Sequence, residues 1–408
     1  MRCLIMRSAI FLAMLAMLPS TTHGQTFAIL HSFSGSDGRN PGGYLTLSGS
    51  TLYGTTVNGG MNANGAINGT VFSINTDGTG FRSLMTFNND TSHHDGLTLS
   101  GSTLYGTGGG PGPNGNGTLF SINTDGTGFR SLSPFNGTNV ESPRGGPVLV
   151  GATLYGAAGG GPQGYGTLYS MNTDGTGLHT LFSFNGTNGQ EPDCHLTLSG
   201  STLYGTTFHG GINNPGGTVF SISTDGTGFR SLLSFGGGND GNRPYSSLAL
   251  SGSTLYGMTY YGGTSNHGTV FSMNTDGSGF RTLLSFNGTN GSRPIGELTL
   301  SGSTLYGTTT YGGTNDDGTV FSINTDGTGF RSILSFDDTT TGFDASGRLT
   351  LSGSTLYGTT VGGGPNGSGT VFSLGLTPIP EPSTLALLGA AAIGLLACAW
   401  RQRKWRTG

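Results

Sequence analysis

The most regular chemically reactive residues in the chain are aspartates within the recurring segment Asn-Thr-Asp-Gly-Thr-Gly. The order Asn-x-Asp-Gly could begin a calcium-binding loop, but such a loop needs further oxygen ligands and a bidentate glutamate at its twelfth position. In the first copy, the twelfth position counted from Asn75 is Thr86. The Asp-Gly step is also typical of tight hairpin turns, which need a positive φ. We therefore expect hairpins at Asp77, Asp125, Asp174, Asp225, Asp276 and Asp326.

Three further clusters of polar residues could hold a metal ion. The sequence places His-His-Asp at 93–95 and adjacent aspartates at 316–317 and 337–338, all in connecting loops. Imidazole and carboxylate groups are common metal ligands, but a single short cluster in a variable loop is more often solvated surface. We therefore predict no metal site and no cofactor. A cation at the paired aspartates stays open as an alternative.

Carboxylates that could catalyse sugar chemistry are sparse. A glycosidase needs two carboxylates that converge across a cleft, whereas Glu141, Glu191 and Glu297 lie in three separate connecting loops. The sequence contains no nucleophile elbow, phosphate-binding loop or metalloprotease motif. We therefore predict a non-enzymatic protein without catalytic residues. A polysaccharide lyase or hydrolase that uses these carboxylates is the alternative.

Aromatic residues in the variable loops are the better candidates for ligand binding. Flat aromatic faces beside small neutral Asn and Gly residues suit the apolar faces of sugar rings. The alternative is that several of these rings pack between structural repeats, and both interpretations stay open. The predicted ligand-binding residues are Tyr165, Phe208, Tyr245, Tyr260, Tyr261 and Tyr311.

The elements that position these residues repeat about every fifty positions. In one copy, short strands are predicted at 298–302, 303–309, 318–323 and 330–336, with Ser-Gly and Asp-Gly turns inside the two hairpins. Apolar residues fall on both faces of these strands, which is typical of a sheet packed between two similar sheets. The motif Thr-Leu-Tyr-Gly marks the copies, with its tyrosine at Tyr53, Tyr105, Tyr155, Tyr204, Tyr256, Tyr306 and Tyr357.

Four-stranded repeats of this length predict an all-β, seven-bladed β-propeller over residues 25–376. The seventh copy ends after its third strand at 369–374, and a segment with the pattern of the missing fourth strand stands at 26–33. A ring explains this split because the first strand of the chain then completes the last blade. An open solenoid, the alternative fold, gives no reason for it.

The two kinds of connection differ in how much they vary between copies. In a meandering blade, the first and third turns share one rim, and the second turn and the connection to the next blade share the other. The first set repeats Ser-Gly-Ser and Asn-Thr-Asp-Gly-Thr-Gly with few changes, whereas the second set varies freely at 57–68, 139–146, 208–216 and 260–268. The sequence thus predicts one structural rim and one variable rim for recognition.

The two ends of the chain predict export. Residues 1–24 contain basic Arg2 and Arg7 and an apolar stretch at 9–18, as a signal peptide does. Residues 384–400 carry no charge and precede a basic cluster, which predicts a C-terminal transmembrane helix with its basic flank on the cytoplasmic side. The middle of the chain is therefore expected outside the inner membrane.

The composition of the exported part excludes several kinds of partner and cross-link. Residues 25–376 contain ten arginines, no lysine and 19 acidic residues, so no basic patch is available for a nucleic acid. Cys194 is the only cysteine in this part, which excludes an internal disulfide and a zinc site built on thiolates. Packing must therefore supply the stability of the fold.

The repeated motifs Leu-Tyr-Gly-Thr-Thr-x-Gly-Gly, Gly-Thr-Val-Phe-Ser and Leu-x-Ser-Phe resemble the GloVer-type tandem repeat of bacterial surface proteins, which carry one of several alternative C-terminal anchors. The resemblance covers about residues 28–374, although some copies change the Gly-Gly loop, as at 104–112. It implies a location at the cell surface and no defined molecular activity.

The C-terminal segment 377–408 resembles a PEP-CTERM sorting signal. Its motif is Pro380, Glu381, Pro382 and Ser383, directly before the uncharged stretch and the basic cluster. The resemblance implies processing by an exosortase-type protease in a Gram-negative bacterium that makes extracellular polysaccharide. It also implies membrane contact through the C-terminal span before release or attachment at the surface. A plain single-pass anchor is the alternative, and exopolysaccharide is the expected ligand of the variable rim.

Overall fold

The computed structural model describes residues 26–60, 69–87, 96–108, 117–135, 140–212 and 216–376. The predicted signal peptide and the predicted C-terminal span lie outside these residues. Within them, no helix has the length and apolar character needed to cross a membrane. The part described here is one compact unit, Phe27–Leu374.

Strands and one short 3-10 helix, Gly238–Asp240, make up the regular structure of the described residues. In chain order the strands are β1 Phe27–Ser32, β2 Arg39–Ser48, β3 Thr51–Asn58, β4 Thr70–Asn75, β5 Arg82–Thr86, β6 Thr98–Ser100, β7 Thr103–Gly108, β8 Thr118–Asn123, β9 Arg130–Pro134, β10 Glu141–Val150, β11 Thr153–Gly159, β12 Thr167–Asn172, β13 His179–Ser183, β14 Thr197–Ser199, β15 Thr202–Thr207, β16 Thr218–Ser223, β17 Arg230–Ser234, β18 Ala249–Ser251, β19 Thr254–Thr259, β20 Thr269–Asn274, β21 Arg281–Ser285, β22 Thr299–Ser301, β23 Thr304–Thr309, β24 Thr319–Asn324, β25 Arg331–Ser335, β26 Thr350–Ser352, β27 Thr355–Thr360 and β28 Thr370–Gly375.

The described strands form seven four-stranded antiparallel sheets, which confirms the predicted seven-bladed β-propeller. Blades 1 to 6 each use four consecutive strands, from β2–β5 for blade 1 to β22–β25 for blade 6. Blade 7 contains β26, β27 and β28, and its outer strand is β1 from the start of the chain. The predicted strands of the sixth copy begin and end within one residue of the observed ones.

The closing contact of the ring is the antiparallel pairing of β1 with β28. Its register runs from Phe27 opposite Leu374 to Ser32 opposite Thr370, with one irregularity after Ile29. On the other side of β1, the ring of His31 stacks on Phe81 of blade 1, with centroids 3.6 Å apart. The predicted split of one repeat between the two ends is therefore confirmed.

Neighbouring blades pack through paired aromatic rings. One ring comes from the Gly-Thr-Val-Phe-Ser motif of a blade, and the other follows the outer strand of the preceding blade. Their centroids lie 5.2–5.5 Å apart with the planes 60–71° from parallel, a favourable edge-to-face arrangement. The pairs are Phe33–Phe72, Phe87–Phe120, Phe135–Tyr169, Phe184–Phe220, Phe235–Phe271, Phe286–Phe321 and Phe336–Phe372.

Inner strands of adjacent blades are joined by threonine side chains. The hydroxyl of Thr46 in blade 1 donates to the carbonyl of Leu97 in blade 2, and the bond recurs from blades 2, 4 and 6. Blades 3 and 5 have Val148 and Ala249 at this position instead. The hydroxyl of Thr350 in blade 7 donates to the carbonyl of Leu45 in blade 1. The same bond that links internal blades thus also links the last blade to the first.

The Asn-Thr-Asp-Gly-Thr-Gly segments are hairpin turns, as predicted. In the first, Oδ1 of Asp77 accepts bonds from the backbone N (2.9 Å) and the hydroxyl (2.7 Å) of Thr79. Gly78 follows with φ 84°. These bonds from Thr79 lower the pKa of Asp77, which is fully exposed. Each carboxylate is therefore engaged by its own turn on the structural rim.

Candidate functional site

The variable rim carries a recurring backbone position in the left-handed region. Arg243 has φ 55° and Arg293 has φ 53°, and each stands directly before a proline. Non-glycine residues in this region are uncommon and store strain of about 1 kcal/mol or more. The backbone holds Arg243 in place, because its N–H donates to the carbonyl of Gly216 (2.7 Å) and its carbonyl accepts from Tyr260 N (3.0 Å). Two arginines are thus fixed on the rim at equivalent places in blades 5 and 6.

These two arginines alternate with aromatic rings across blades 4 to 6. The guanidinium carbon of Arg243 lies 5.5 Å from the ring centre of Phe208 and 5.4 Å from that of Tyr261. The guanidinium carbon of Arg293 lies 5.5 Å from Tyr261 and 5.2 Å from Tyr311. All four distances are within the range of cation–π attraction. We call the set Phe208, Arg243, Tyr261, Arg293 and Tyr311 the rim ladder.

Two more predicted aromatic residues adjoin the rim ladder. The ring of Tyr245 lies 5.1 Å from Phe208, and the ring of Tyr260 lies 4.6 Å from Tyr261. Burial raises the pKa of the Tyr260 phenol, an effect that the charge of Arg293 partly offsets. The structure therefore brings together five of the six predicted residues. Tyr165 lies elsewhere, beside the Gly186 turn, and is 37% exposed.

The arginines of the rim ladder differ from two other rim arginines in their partners. Arg144 pairs with Asp193 (Nε to Oδ1, 3.6 Å), and Arg348 pairs with Glu297 (Nη1 to Oε2, 3.4 Å). Within the part of the chain that the structure describes, neither ladder arginine has a carboxylate in salt-bridge range. No carboxylate therefore neutralises their charge, which is available to a ligand that lies along the rings, while the side chain of Arg293 also makes a hydrogen bond with Tyr260.

A second candidate site lies on the propeller axis at the variable rim. Every blade contributes the residue that stands just before the first core position of its inner strand. Together with their neighbours they line a cavity of about 220 Å³. Below it, the inner strands line an axial channel with a cavity of about 700 Å³. We call the seven residues the axial ring: Tyr44, Gly96, Gly146, His195, Ser247, Glu297 and Arg348.

The axial ring is held together by a chain of polar contacts. Oε1 of Glu297 accepts a bond from the Ser247 hydroxyl (2.6 Å), and its Oε2 faces Arg348. The guanidinium of Arg348 lies over the ring of Tyr44 at 4.4 Å, and His195 meets the same ring edge-on at 5.5 Å. Aromatic, cationic and anionic groups thus converge on one small cavity.

The axial ring is not predicted as a site from the sequence. Glu297 is recognisable there only as one of three separate carboxylates, and no motif distinguishes His195 or Arg348. The three carboxylates keep different neighbours, since Glu191 pairs with His209 at 3.0 Å and Glu141 lies against Gly160. A usable signal existed in the sequence, because the residue just before the recurring leucine of each inner-strand segment (Pro147 in blade 3) differs in almost every copy.

The other groups considered from sequence are engaged in structural contacts. The Cys194 thiol is buried, which raises its pKa to about 12, and it donates to the carbonyl of Thr206 at 3.3 Å. Oδ2 of Asp317 accepts from the backbone N of Asp338 (2.9 Å), and Oδ1 of Asp316 accepts from Gly312 (2.8 Å). Among the residues described, no three ligating side chains converge as a metal site would require. The His-His-Asp cluster at 93–95 lies outside the described residues.

Comparison with known sequences identifies the repeat and the tail. A profile of the Gloeobacter/Verrucomicrobia repeat matches residues 17–159 and 157–372. A profile of the PEP-CTERM protein-sorting motif matches residues 378–404, which indicates export to the cell surface or extracellular space of a Gram-negative bacterium. No protein of curated function matches the sequence.

Several solved structures share the fold. An oligogalacturonate lyase in complex with manganese is 14% identical, with 88% of this chain and 95% of that chain covered at a TM-score of 0.57. The oligogalacturonate lyase of Vibrio parahaemolyticus is 12% identical, with the same coverage and a TM-score of 0.56. The extracellular domain of a one-component system from B. thetaiotaomicron is 13% identical, with 85% of this chain and 40% of that chain covered at a TM-score of 0.55. At such identities the likeness concerns the fold alone. The repeat profile, by contrast, spans most of the sequence, and the chain belongs to the Gloeobacter/Verrucomicrobia repeat family.

Proposed function

We propose that this surface-sorted protein is non-enzymatic and binds polysaccharide along the rim ladder. The observation that carries the proposal is the alternation of aromatic rings and arginines without carboxylate partners among the described residues. The apolar faces of sugar rings stack on aromatic side chains, and guanidinium groups donate paired hydrogen bonds to the oxygens between them. A linear polymer can follow such a row over three blades.

Two further observations support a sugar ligand. The sorting motif directs the protein to the surface or the extracellular space, where polysaccharides are abundant binding partners. The oligogalacturonate lyases are propellers whose name gives an oligosaccharide substrate. These lyases share only the fold with this protein, and no residue of the rim ladder is inferred from them.

The test is co-sedimentation of the purified protein with exopolysaccharide from the bacterium in which the protein occurs. We expect the wild-type protein to bind, and Tyr261→Ala and Arg293→Gln each to weaken binding about tenfold or more, as loss of a central aromatic or arginine contact does. Tyr165→Ala, which removes an aromatic ring outside the rim ladder, serves as the matched control and should bind normally.

The same preparation separates this proposal from its alternatives. If reducing ends are released from the polysaccharide during incubation, the protein cleaves its ligand, and the lyase or hydrolase alternative is favoured over a non-enzymatic binding protein. If the wild-type protein binds no fraction of the polysaccharide, the proposal is wrong and a passive structural module without a specific ligand becomes the favoured interpretation. Equal loss of binding in the Tyr165→Ala control would also contradict the assignment to the rim ladder.

A further inference from the structure

We infer that the axial ring forms a second binding site, separate from the rim ladder, which takes a single uncharged sugar ring. The inference rests on the cavity of about 220 Å³ and on the side chains that converge there. A single sugar ring suits a partly open cavity of this size better than a longer segment of a polymer does, because ligand pockets for larger molecules are typically about 300–1,000 Å³. A free monosaccharide or the terminal residue of a glycan does fit this description.

The seven copies of the repeat serve as their own control for the role of the axial ring. The residue that follows each axial-ring position is leucine in six copies and Pro147 in the other. The axial-ring position itself contains six residue types in seven copies, namely Tyr, Gly, Gly, His, Ser, Glu and Arg. The inner-strand segment therefore forms with any of these residue types before it. Packing fixes the leucine and also the two glycines, because a Cβ on Gly96 would stand 2.2 Å from the Tyr44 ring and a Cβ on Gly146 would stand 2.6 Å from its hydroxyl. Packing does not account for the polar and charged residues at this position in the last four copies.

Stability does not explain the charges of the site either. Side-chain exposure is 36% for Arg348 and 16% for Glu297, so the pair is partly removed from water. The Arg144–Asp193 pair at the same cavity is similar, at 31% and 11%. Partly buried ion pairs lose hydration and return little net stability. Four charged groups around one cavity, in a propeller that is poor in charge, are better explained by a ligand.

The chemistry of the site favours an uncharged ligand with adjacent hydroxyl groups. Two guanidinium groups and two carboxylates balance, so an anion would face Glu297 and Asp193 while a cation would face Arg144 and Arg348. A hydroxyl group both donates and accepts. Adjacent hydroxyls can therefore bridge a carboxylate and the arginine paired with it, as at Glu297 and Arg348, without disturbing the charge balance.

The axial site can be tested independently of the rim proposal. The full chain, purified in a detergent without a sugar head group, is titrated calorimetrically with glucose, galactose, mannose, glucuronate and glucosamine. We expect at least one neutral sugar to bind at millimolar concentration, and glucuronate and glucosamine to bind at least about tenfold more weakly. Tyr261→Ala in the rim ladder should leave this binding unchanged, so failure of one proposal is distinct from failure of the other.

Two variants test whether residues of the axial ring bind the sugar. Glu297→Gln keeps the shape of the side chain and removes its charge, and Ser247→Ala removes the bond to Oε1 of the same carboxylate. We expect either change to weaken the binding of the neutral sugar about tenfold or more. Asp326→Asn in a hairpin of the structural rim is the matched control. Near-ultraviolet circular dichroism checks that each variant is folded, and if Glu297→Gln fails that check, Ser247→Ala decides.

Three outcomes would overturn the inference. The first is that none of the sugars binds at millimolar concentration. The second is that a charged sugar binds more tightly than every neutral one. The third is that folded Glu297→Gln and Ser247→Ala both bind the neutral sugar as the wild-type protein does.

Discussion

Replacement of Tyr169 by phenylalanine should stabilise the propeller. Tyr169 occupies the buried aromatic position of blade 3, and its hydroxyl has no hydrogen-bond partner among the described residues. Burial raises the pKa of its phenol far above the usual value. A Cβ placed on Gly156 would stand only 2.4 Å from this oxygen, so glycine there makes room for it. The other six blades fill the position with Phe72, Phe120, Phe220, Phe271, Phe321 and Phe372.

The expected gain follows from the cost of burying an unpaired hydroxyl. Leaving such a group without a partner costs about 1–3 kcal/mol. The aromatic contact with Phe135, at 5.5 Å between centroids, does not depend on the hydroxyl and should persist in the variant. Removal of the oxygen leaves only a small void. We therefore expect Tyr169→Phe to raise the free energy of unfolding by about 1–2 kcal/mol and Tm by about 1–4 °C.

Urea and thermal unfolding of the wild-type protein and the variant measure the difference. The matched control is the reverse change Phe120→Tyr in blade 2, which should lower stability by a similar amount because it buries a new hydroxyl at the equivalent place. If Tyr169→Phe is instead less stable than the wild-type protein, the hydroxyl has a hydrogen-bond partner, such as a buried water, and the reasoning is wrong.

Three further predictions concern stability. Burial raises the pKa of Asp344 from 3.8 to about 6, so its charged carboxylate destabilises the folded state increasingly as pH rises from about 4 to about 6. We therefore expect Asp344→Asn to be more stable than the wild-type protein above pH 6 and equally stable near pH 4. Thermal melts at a series of pH values measure this difference. A Cβ on Gly54 would stand 2.5 Å from Cζ of Phe72, so Gly54→Ala should cost about 1–3 kcal/mol in urea unfolding, and an unchanged midpoint would contradict the close approach. Thr350→Val should lower the free energy of unfolding by about 1 kcal/mol, because the carbonyl of Leu45 then lacks its hydrogen-bond donor. The matched control is Thr299→Val, which removes the same bond between blades 6 and 7. A much smaller loss for Thr350→Val than for this control would indicate that the ring is only loosely closed.

The fold could be predicted from the sequence because each repeat encodes it locally. Asp-Gly turns fix the outer hairpins, and the aromatic markers of the strands are the residues that pack between blades. The glycine of Thr-Leu-Tyr-Gly is explained only by the structure, since the tip of an aromatic ring such as Phe72 lies against it. Ring closure was visible because one repeat is divided between the two ends.

The candidate sites could be predicted only in part, and the reason is physical. The aromatic residues of the rim stand out as rings in glycine-rich loops. Arg243 and Arg293 do not, because nothing in a short sequence pattern shows that a residue before proline will adopt a positive φ and lie between two rings. The axial ring is harder still. Its members stand about fifty residues apart, and each is a single change in a different copy.

Formation of a disulfide between β1 and β28 tests the closed ring most directly. Ala28 lies opposite Ser373 in this pairing, and opposed residues of antiparallel strands have Cα atoms about 4.5–5.5 Å apart, within reach of a disulfide. We expect the double variant Ala28→Cys with Ser373→Cys to become cross-linked under mild oxidation, seen as faster migration on a non-reducing gel. Ala28→Cys combined with Ser231→Cys in blade 4 is the control and should stay open. Absence of the 28–373 cross-link in folded protein would contradict the ring closure on which the axial ring depends.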